Sequence, residues 1–302
     1  MRPLEKNSLN SDKIDKLLHL GQSIPHHPIS RAIGKLAANE FSPLKNLLIK
    51  RFIKTYKVNM AEAAITDPTR YRNFNAFFTR PLAVGARPIA CGEDTLVSPA
   101  DGQLSQFGNI DGSQLIQAKG KFFTVKALLG HGDATTAPLP RFHPDYSAHF
   151  KNGKFATIYL SPRDYHRVHM PLKGRLTDTV YIPGKLFSVN MRTTRMEEQL
   201  FARNERLVCY FDTEIGKIAL ILVGAMIVAS MTTVWGGVIP PQSTVVHTTY
   251  KPGTVELNKG DEMGRFQLGS TVILLFPAHS VRFDPGMQLD AKIKMGEALA
   301  YL

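Results

Sequence analysis

The spacing of apolar residues changes along the chain, from a helical period near the N-terminus to short continuous runs beyond it. In SPLKNLLIKRFIKTYKV, residues 42–58, apolar side chains recur at helical spacing, and Pro43 suits a first helical turn. SDKIDKLLHL, residues 11–20, opens with the cap-like Ser11 and Asp12 and has a similar apolar face. The pattern predicts that about the first sixty residues are helical.

Beyond about residue 61, short runs rich in Ile, Val and aromatic residues alternate with turns that contain Gly, Pro and Asp. The strand-like runs are GKFATIYLSP, RLVCYFD, KIALILVGAMIVASMTTVW and TVILLF. FDTEIGK, residues 211–217, is typical of a hairpin turn, and GHGDATTAPLPRFHPDY, residues 130–146, is typical of a loop. We predict an α+β protein, with a mainly β, sandwich- or barrel-like core over 61–302 behind a helical region over 1–60.

The charge of the chain points to an anionic partner. Its 302 residues carry 37 Lys and Arg against 25 Asp and Glu, a net charge of +12. Nucleic acid or a membrane rich in acidic lipid would suit this charge, and improved solubility is the alternative explanation. Cys91 and Cys209 have no paired spacing, so neither a disulfide framework nor a zinc site is expected. The most apolar run, residues 218–231, is too short to span a bilayer, so we expect at most a peripheral association.

The predicted helix over residues 42–58 combines an apolar face with basic residues. Its cations are Lys45, Lys50, Arg51, Lys54 and Lys57. A basic amphipathic helix suits an anionic membrane surface. A helix that packs on the body of the protein with solvated lysines is the alternative.

Two histidines could carry acid–base chemistry. YLSPRDYHRVHMPLKG, residues 159–174, contains His166 and His169 beside Tyr165. No third metal ligand of obvious spacing accompanies them, which disfavours a metal site. Imidazole titrates near neutral pH and can both accept and donate a proton, so a general acid or base is the favoured interpretation.

A serine follows a glycine at the start of a strand-like run in RFQLGSTVILLFP, residues 265–277. Gly269 tolerates unusual backbone conformations and offers an unhindered carbonyl to the Ser270 hydroxyl. The junction is either an ordinary turn with an exposed hydroxyl or a peptide bond that the protein cuts itself. Asp101, in a tight turn of LVSPADGQLSQFG, could complete a serine–histidine–aspartate set, although spacing alone supports such a set only weakly.

These residues resemble the bacterial-type phosphatidylserine decarboxylase family. The motifs that carry the resemblance occur in the family's order and cover nearly all of the chain. They are FNAFFTRPL, SPADG, QAKG, YLSPRDYHRVHMP, PGKLFSVN, LFARNER and MGRFQLGST. Each motif is modest alone, but their shared order makes coincidence a poor explanation.

The resemblance implies a proenzyme that cuts its own Gly269–Ser270 bond. Asp101 and His169 would activate the Ser270 hydroxyl, which attacks the Gly269 carbonyl to form an ester. Elimination, rearrangement and loss of ammonia would leave a β subunit, 1–269, and an α subunit, 270–302, that begins with a pyruvoyl group. This pyruvoyl group would form a Schiff base with the amine of phosphatidylserine and replace pyridoxal phosphate as the electron sink.

The resemblance also implies the product, the partners and the location. His166 would serve the decarboxylation step as proton donor, giving phosphatidylethanolamine and CO2, with no metal and no pyridoxal phosphate. The enzyme would be a homodimer that lies on the cytoplasmic side of the cell membrane and binds no nucleic acid. Candidates for membrane contact are Phe41, Leu44, Leu48, Lys50, Arg51, Phe52 and Lys54. Phe74, Phe77 and Phe78 are further candidates, although a core position is favoured for them.

Other functions make different predictions. A serine hydrolase would keep Asp101, His169 and Ser270 as an unprocessed triad, but no G-x-S-x-G elbow surrounds Ser270. A pyruvoyl enzyme for a soluble amino acid is disfavoured by the motif set and by the basic helices. A nucleic-acid-binding module would need a basic patch with interleaved aromatic residues or a known motif, and we find neither.

Overall fold

A computed structural model describes residues 34–118, 120–132, 137–140, 143–225, 231–267 and 270–302. The helix predicted over residues 11–20 and the residue Gly269 lie outside this description. Within the described residues, no helix is both long enough and apolar enough to cross a membrane.

Besides helical residues at 34–37, the described chain forms five short or medium α-helices, three 3-10 turns and eighteen strands. The α-helices are α1 Ser42–Tyr56, α2 Phe74–Phe78, α3 Val125–Leu128, α4 Met191–Met196 and α5 Leu200–Arg203. The 3-10 turns are Met60–Glu62, Pro68–Arg70 and Ser147–Phe150. The strands are β1 Thr95–Val97, β2 Gly102–Asn109, β3 Gln114–Ala118, β4 Lys121–Thr124, β5 Lys154–Leu160, β6 Arg167–His169, β7 Gly174–Ile182, β8 Arg206–Thr213, β9 Gly216–Val223, β10 Met231–Thr233, β11 Gly237–Ile239, β12 Val246–Thr249, β13 Glu256–Leu257, β14 Glu262–Phe266, β15 Ser270–Phe276, β16 Arg282–Phe283, β17 Lys292–Ile293 and β18 Ala298–Tyr301.

Antiparallel sheets make up most of the body, which confirms the α+β, mainly β prediction. The largest sheet has the order β12-β7-β8-β9-β15-β5-β2-β17, with β13 also paired to β7. A four-stranded sheet has the order β11-β10-β14-β6, and β1-β18-β16 form a third sheet. The predicted hairpin at FDTEIGK joins β8 to β9, with Thr213 opposite Gly216.

Strand β15 lies at the centre of the largest sheet and is buried over its whole length. One face, including Val272 and Leu274, joins a hydrophobic cluster with Ile158. The other face, including Ile273 and Leu275, joins a second cluster on the opposite side of the sheet. A strand covered on both faces needs apolar residues at consecutive positions, which explains the unbroken TVILLF run.

The N-terminal helices share a separate hydrophobic cluster. It contains Ile49 of α1 together with the three buried phenylalanines of α2, Phe74, Phe77 and Phe78. The Phe52 ring makes edge contacts with these three rings at centroid distances of 5.1–6.0 Å. The phenylalanines of α2 are therefore core residues. Because the cluster includes residues on both sides of position 60, packing does not separate the two predicted regions there, and that boundary stays a prediction.

Helix α1 has the predicted extent but not the predicted distribution of charge. Lys45 was expected among the exposed cations, yet it is buried, and its Nζ donates to the backbone oxygens of Thr69 and Tyr71 at 2.7 and 2.6 Å. Carbonyls at the end of the neighbouring 3-10 turn supply acceptors that a helical period cannot reveal. Lys50 remains exposed, as do Arg51 and Lys54.

Candidate active site

Strand register brings Ser270 next to the loop that carries the histidines. Ser270, the first residue of β15, is opposite Leu160, the last residue of β5. On the other side of the junction, the backbone N–H of Phe266 donates to the carbonyl of His166 at 3.0 Å. The ends of the segment that contains the Gly269–Ser270 bond are thus held against the two ends of the loop over residues 161–166.

The Ser270 hydroxyl is buried rather than exposed, contrary to the turn interpretation of the sequence. The residue is fully buried, and its Oγ has no hydrogen-bond partner within the described residues. The strand forms ladders on both sides, with β5 from Ser270 onward and with β9 from Thr271 onward, so Ser270 begins a strand in the middle of the sheet. An unpartnered buried hydroxyl loses its hydration without compensation, at a cost of about 1–3 kcal/mol.

His166 lies in a similarly dry environment. Its Nδ1 donates to the backbone oxygen of Asp164 at 2.8 Å, and its Nε2 is buried with no partner among the described residues. The ring lies 4.1 Å, centroid to centroid, from that of Phe78. Burial lowers the pKa of His166 to about 3, although the Asp164 carbonyl opposes the shift, and the nearby positive charge of Arg80 lowers it further. The imidazole is therefore neutral at pH 7, with the lone pair on Nε2 available.

His169 has both ring nitrogens engaged. Its Nδ1 is 2.8 Å from the backbone oxygen of Gly260, and its Nε2 is 3.1 Å from the hydroxyl of Tyr165. Burial lowers the pKa of His169, while the Gly260 carbonyl and the negative charges of Glu262 and Asp101 oppose that shift. The side chain is thus a neutral base held from two sides.

Asp101 lies in the bend between β1 and β2 and is paired with an arginine. Nε and Nη2 of Arg87 donate to its two carboxylate oxygens at 2.8 and 2.5 Å, and the backbone N–H of Met295 donates to Oδ1 at 2.9 Å. Within the described residues no hydrogen bond joins Asp101 to His169, so the predicted contribution of Asp101 to Ser270 activation stays a prediction. The next residue, Gly102, begins β2 and lies very close to β5, where a Cβ would be 2.4 Å from the carbonyl oxygen of Tyr159.

Comparison with known proteins identifies the family. A family model described as phosphatidylserine decarboxylase matches residues 74–301, and a second, described as PSD, matches residues 22–57. A phosphatidylserine decarboxylase proenzyme of Azotobacter vinelandii is 51% identical over 290 residues, which cover 94% of this chain and 98% of that protein. A proenzyme of the same name from Vibrio cholerae is 50% identical over 283 residues, covering 92% and 95%. The chain belongs to the phosphatidylserine decarboxylase family.

A basic cleft of about 180 Å³ lies beside the histidine loop of this family member. Asp101 and Tyr165 are among its lining residues. Its basic lining residues are Lys57, Arg80, Arg87, Arg163, Lys292 and Lys294. Arg80 donates from Nη2 to the Arg163 carbonyl at 3.2 Å, whereas its Nε and Nη1 are buried without a partner in the described part of the chain.

Sequence reasoning missed the arginines of this decarboxylase-family site. Arg80 belongs to the FNAFFTRPL motif, but nothing in its spacing indicated a buried cation. Arg87 stands in an unremarkable turn, and only the fold brings it to Asp101. For a metal, the described residues contain no group of three or more His, Cys, Asp or Glu side chains placed to hold one ion. The absence of a metal requirement stays a prediction.

Proposed function

We propose that this chain is a proenzyme that cuts itself between Gly269 and Ser270 and then decarboxylates phosphatidylserine to phosphatidylethanolamine. The observation that carries the proposal is the Ser270 hydroxyl, which is fully buried, has no partner among the described residues and is adjacent to the loop of His166 and His169. A protein keeps such an unpaired group where chemistry uses it. Membership of the phosphatidylserine decarboxylase family supplies the reaction and the substrate.

Self-cleavage begins with the transfer of the Ser270 proton to His169. The Ser270 oxygen attacks the Gly269 carbonyl carbon, and the C–N bond breaks as the nitrogen takes a proton, giving an ester. Removal of the Ser270 α-proton then expels the Gly269 carboxylate and leaves a dehydroalanine. This group rearranges and takes up water, releasing ammonia and a pyruvoyl group at position 270. The Asp101 charge stabilises the imidazolium of His169 through space, in accordance with its effect on the pKa of that residue.

The residues around Ser270 fit such a group. Position 270 is held by strand pairing with Leu160 in a site without solvent access, and Nε2 of His166 is buried nearby without a partner in the described structure. A pyruvoyl group supplies a carbonyl that condenses with the substrate amine and accepts the electrons released with CO2. Neutral His166 takes a proton from the incoming ammonium group at Nε2 and returns it to the α-carbon of the product.

The charges around the site suit an anionic phospholipid. The basic cleft presents six cationic side chains against the acidic Glu62, Asp101 and Asp164. The substrate headgroup carries a phosphate and a carboxylate, and Arg80 offers two buried nitrogens, Nε and Nη1, that have no hydrogen-bond partner among the described residues. Because Tyr165 also lines the cleft, a headgroup bound there would lie beside the histidine loop.

Helix α1 is the proposed membrane contact. Phe41 and Leu47 are 66% and 65% exposed, and Lys50, Arg51 and Lys54 are exposed on the same helix. Leu44 is half-buried, whereas Leu48 and Phe52 pack against the helical cluster and offer less surface to a lipid. We propose a peripheral enzyme on the cytoplasmic face of the membrane, a homodimer as the family resemblance implies, with no nucleic-acid partner.

Mass spectrometry of the denatured protein tests the cleavage. We expect two chains split after Gly269, with the smaller one lighter by one ammonia than a peptide that begins with serine. Ser270→Ala should remain one chain and lack decarboxylase activity. A wild-type protein that decarboxylates phosphatidylserine as a single intact chain would refute the pyruvoyl proposal. An intact chain labelled at Ser270 by a serine-directed phosphonate would instead support the serine hydrolase.

A further inference from the structure

We infer that Tyr165 is a positioning residue for self-cleavage, which fixes the orientation and the tautomer of His169 through a hydrogen bond at its Nε2. The inference rests on the proposed function only in taking His169 as the base and Ser270 as the nucleophile. It assigns a role to Tyr165, which the sequence prediction left without one.

The two partners of His169 determine its tautomer. The Gly260 carbonyl can only accept a hydrogen bond, so the His169 Nδ1 at 2.8 Å must carry the proton. In the neutral ring the lone pair is then on Nε2, and the Tyr165 hydroxyl at 3.1 Å donates to it. The base is therefore oriented by a backbone carbonyl on one side and a phenol on the other.

Solvent cannot replace the tyrosine. Tyr165 and His169 are 6% and 8% exposed, and their rings lie 5.7 Å apart, centroid to centroid. Burial raises the pKa of Tyr165 to about 12, so the phenol keeps its proton wherever His169 can act as a base. The Tyr165 hydroxyl is thus a permanent hydrogen-bond donor to the His169 Nε2.

Asp101 does not fill this place. Its Oδ1 accepts from Arg87 Nε and from the Met295 backbone, and its Oδ2 accepts from Arg87 Nη2. Its carboxylate acts on His169 as a charge at a distance, whereas contact with the ring belongs to Tyr165 and Gly260. The orienting role and the charge-stabilising role are carried by different residues.

The engaged ring sets the state in which His169 meets the Ser270 hydroxyl. Both of its nitrogens are bonded, and the lone pair on Nε2 is held by the Tyr165 hydroxyl. The hydroxyl can donate to Nε2 only while that nitrogen lacks a proton, so the bond stabilises the neutral, basic form of the ring. The contact is given up when Nε2 takes the Ser270 proton.

Replacing Tyr165 by Phe tests the positioning of His169. We expect self-cleavage of Tyr165→Phe, followed as loss of the full-length chain after synthesis, to slow by about tenfold or more, because positioned proton transfer typically contributes about 10²–10⁴-fold. Tyr159→Phe is the matched control. It removes the hydroxyl of another tyrosine, which lies on β5 with its backbone opposite Thr271, and should cleave at the wild-type rate. Wild-type or faster cleavage of Tyr165→Phe would overturn the inference.

A second readout separates positioning from general damage to the fold. In uncleaved Ser270→Ala protein with isotope-labelled histidine, NMR titration reports the pKa of His169 directly. Losing the donor to Nε2 disfavours the neutral ring, so Tyr165→Phe should raise this pKa. Asp101→Asn should lower it by removing a negative charge, and Tyr159→Phe should leave it unchanged. The other charges that face the pair are Glu262, Arg167 and Arg265, which all variants retain.

An unchanged His169 pKa in Tyr165→Phe would overturn the inference even if cleavage were slow. Failure of the underlying function looks different. It would appear as cleavage that persists in Ser270→Ala, and it would leave the titration of His169 unaffected.

Discussion

The Arg87–Asp101 ion pair contrasts with two single groups, the Ser270 hydroxyl and the His166 Nε2. All are buried close to the loop over residues 161–166, but their hydrogen-bonding capacity is satisfied to opposite extents. Each oxygen of Asp101 accepts at least one hydrogen bond, whereas Ser270 Oγ and His166 Nε2 have no partner among the described residues. A fully paired buried charge holds the structure together. An unpaired buried group destabilises it and remains available to a reactant. Pairing therefore separates supporting residues from reacting ones more clearly than burial does.

The largest effects should come from the histidines. We expect His169→Ala to remain a single chain because no base accepts the Ser270 proton. His166→Ala should cleave normally but lose decarboxylation by about 100-fold or more, as expected for a missing proton-transfer group. Gel analysis and a CO2-release assay on the same samples measure both. A His166→Ala protein that stays uncut would contradict this division of labour.

Breaking the Arg87–Asp101 ion pair should lower the stability of the protein. Arg87→Ala leaves Asp101 buried without its cation, and breaking a buried pair in this way costs about 3–5 kcal/mol. Glu62 is the other acid bonded to Arg87, and the Glu62 side chain is 32% exposed. Glu62→Gln should therefore cost less than about 1 kcal/mol of stability. Urea unfolding of both variants in the Ser270→Ala background measures the difference. Equal losses would show that burial of the pair is unimportant.

The unpaired side predicts a pH dependence of stability. The unfolded chain protonates His166 below about pH 6.5, whereas the folded chain does so only near a pKa of about 3. The unfolded state then binds more protons, so stability falls as the pH drops through this window, by up to about 1.4 kcal/mol per pH unit. His166→Asn should flatten the curve by that amount. The stability of the Ser270→Ala protein is measured against pH with and without His166→Asn. Parallel stability curves would argue against a neutral buried histidine.

The buried and exposed lysines of α1 predict a smaller effect, on membrane binding. Lys45 is buried and bonded, whereas Lys50 and Lys54 are free to meet a charged surface. Lys50→Gln with Lys54→Gln should weaken binding to acidic vesicles by about 1 kcal/mol per residue. Flotation with acidic and with neutral vesicles measures the loss. The double variant Lys151→Gln with Lys173→Gln, at exposed positions of the body, removes the same charge and should bind normally.

The sequence revealed elements that leave a local pattern of apolar residues. Helix α1 follows from Pro43 and an apolar period, and β15 follows from an unbroken apolar run. The family motifs pointed to both histidines. The sequence did not predict the surroundings of single polar groups. Lys45 and Ser270 were expected at the surface, because the acceptors of the first and the neighbouring strands of the second come from distant parts of the chain.

Arg87 and Tyr165 illustrate the same limit within the site. Arg87 meets Asp101 only after two loops fold together, and no periodicity records this contact. Tyr165 stood beside the histidines in the sequence, but a spacing of four residues indicates contact only on a helix. Here the residues lie in a loop and a short strand, and the contact depends on how the loop turns back onto β6.

The central position of β15 has a consequence for the life history of the protein. Its seven residues pair with β5 and five of them with β9, while β17 and β18 of the same C-terminal segment pair with β2 and β1. A cut before Ser270 severs the only covalent link to these partners, yet leaves every pairing intact. Refolding after denaturation would then require two molecules to meet, so recovery would depend on concentration. Such an enzyme folds efficiently once, as a single chain, and after cleavage it would regain its fold less readily than the uncut precursor.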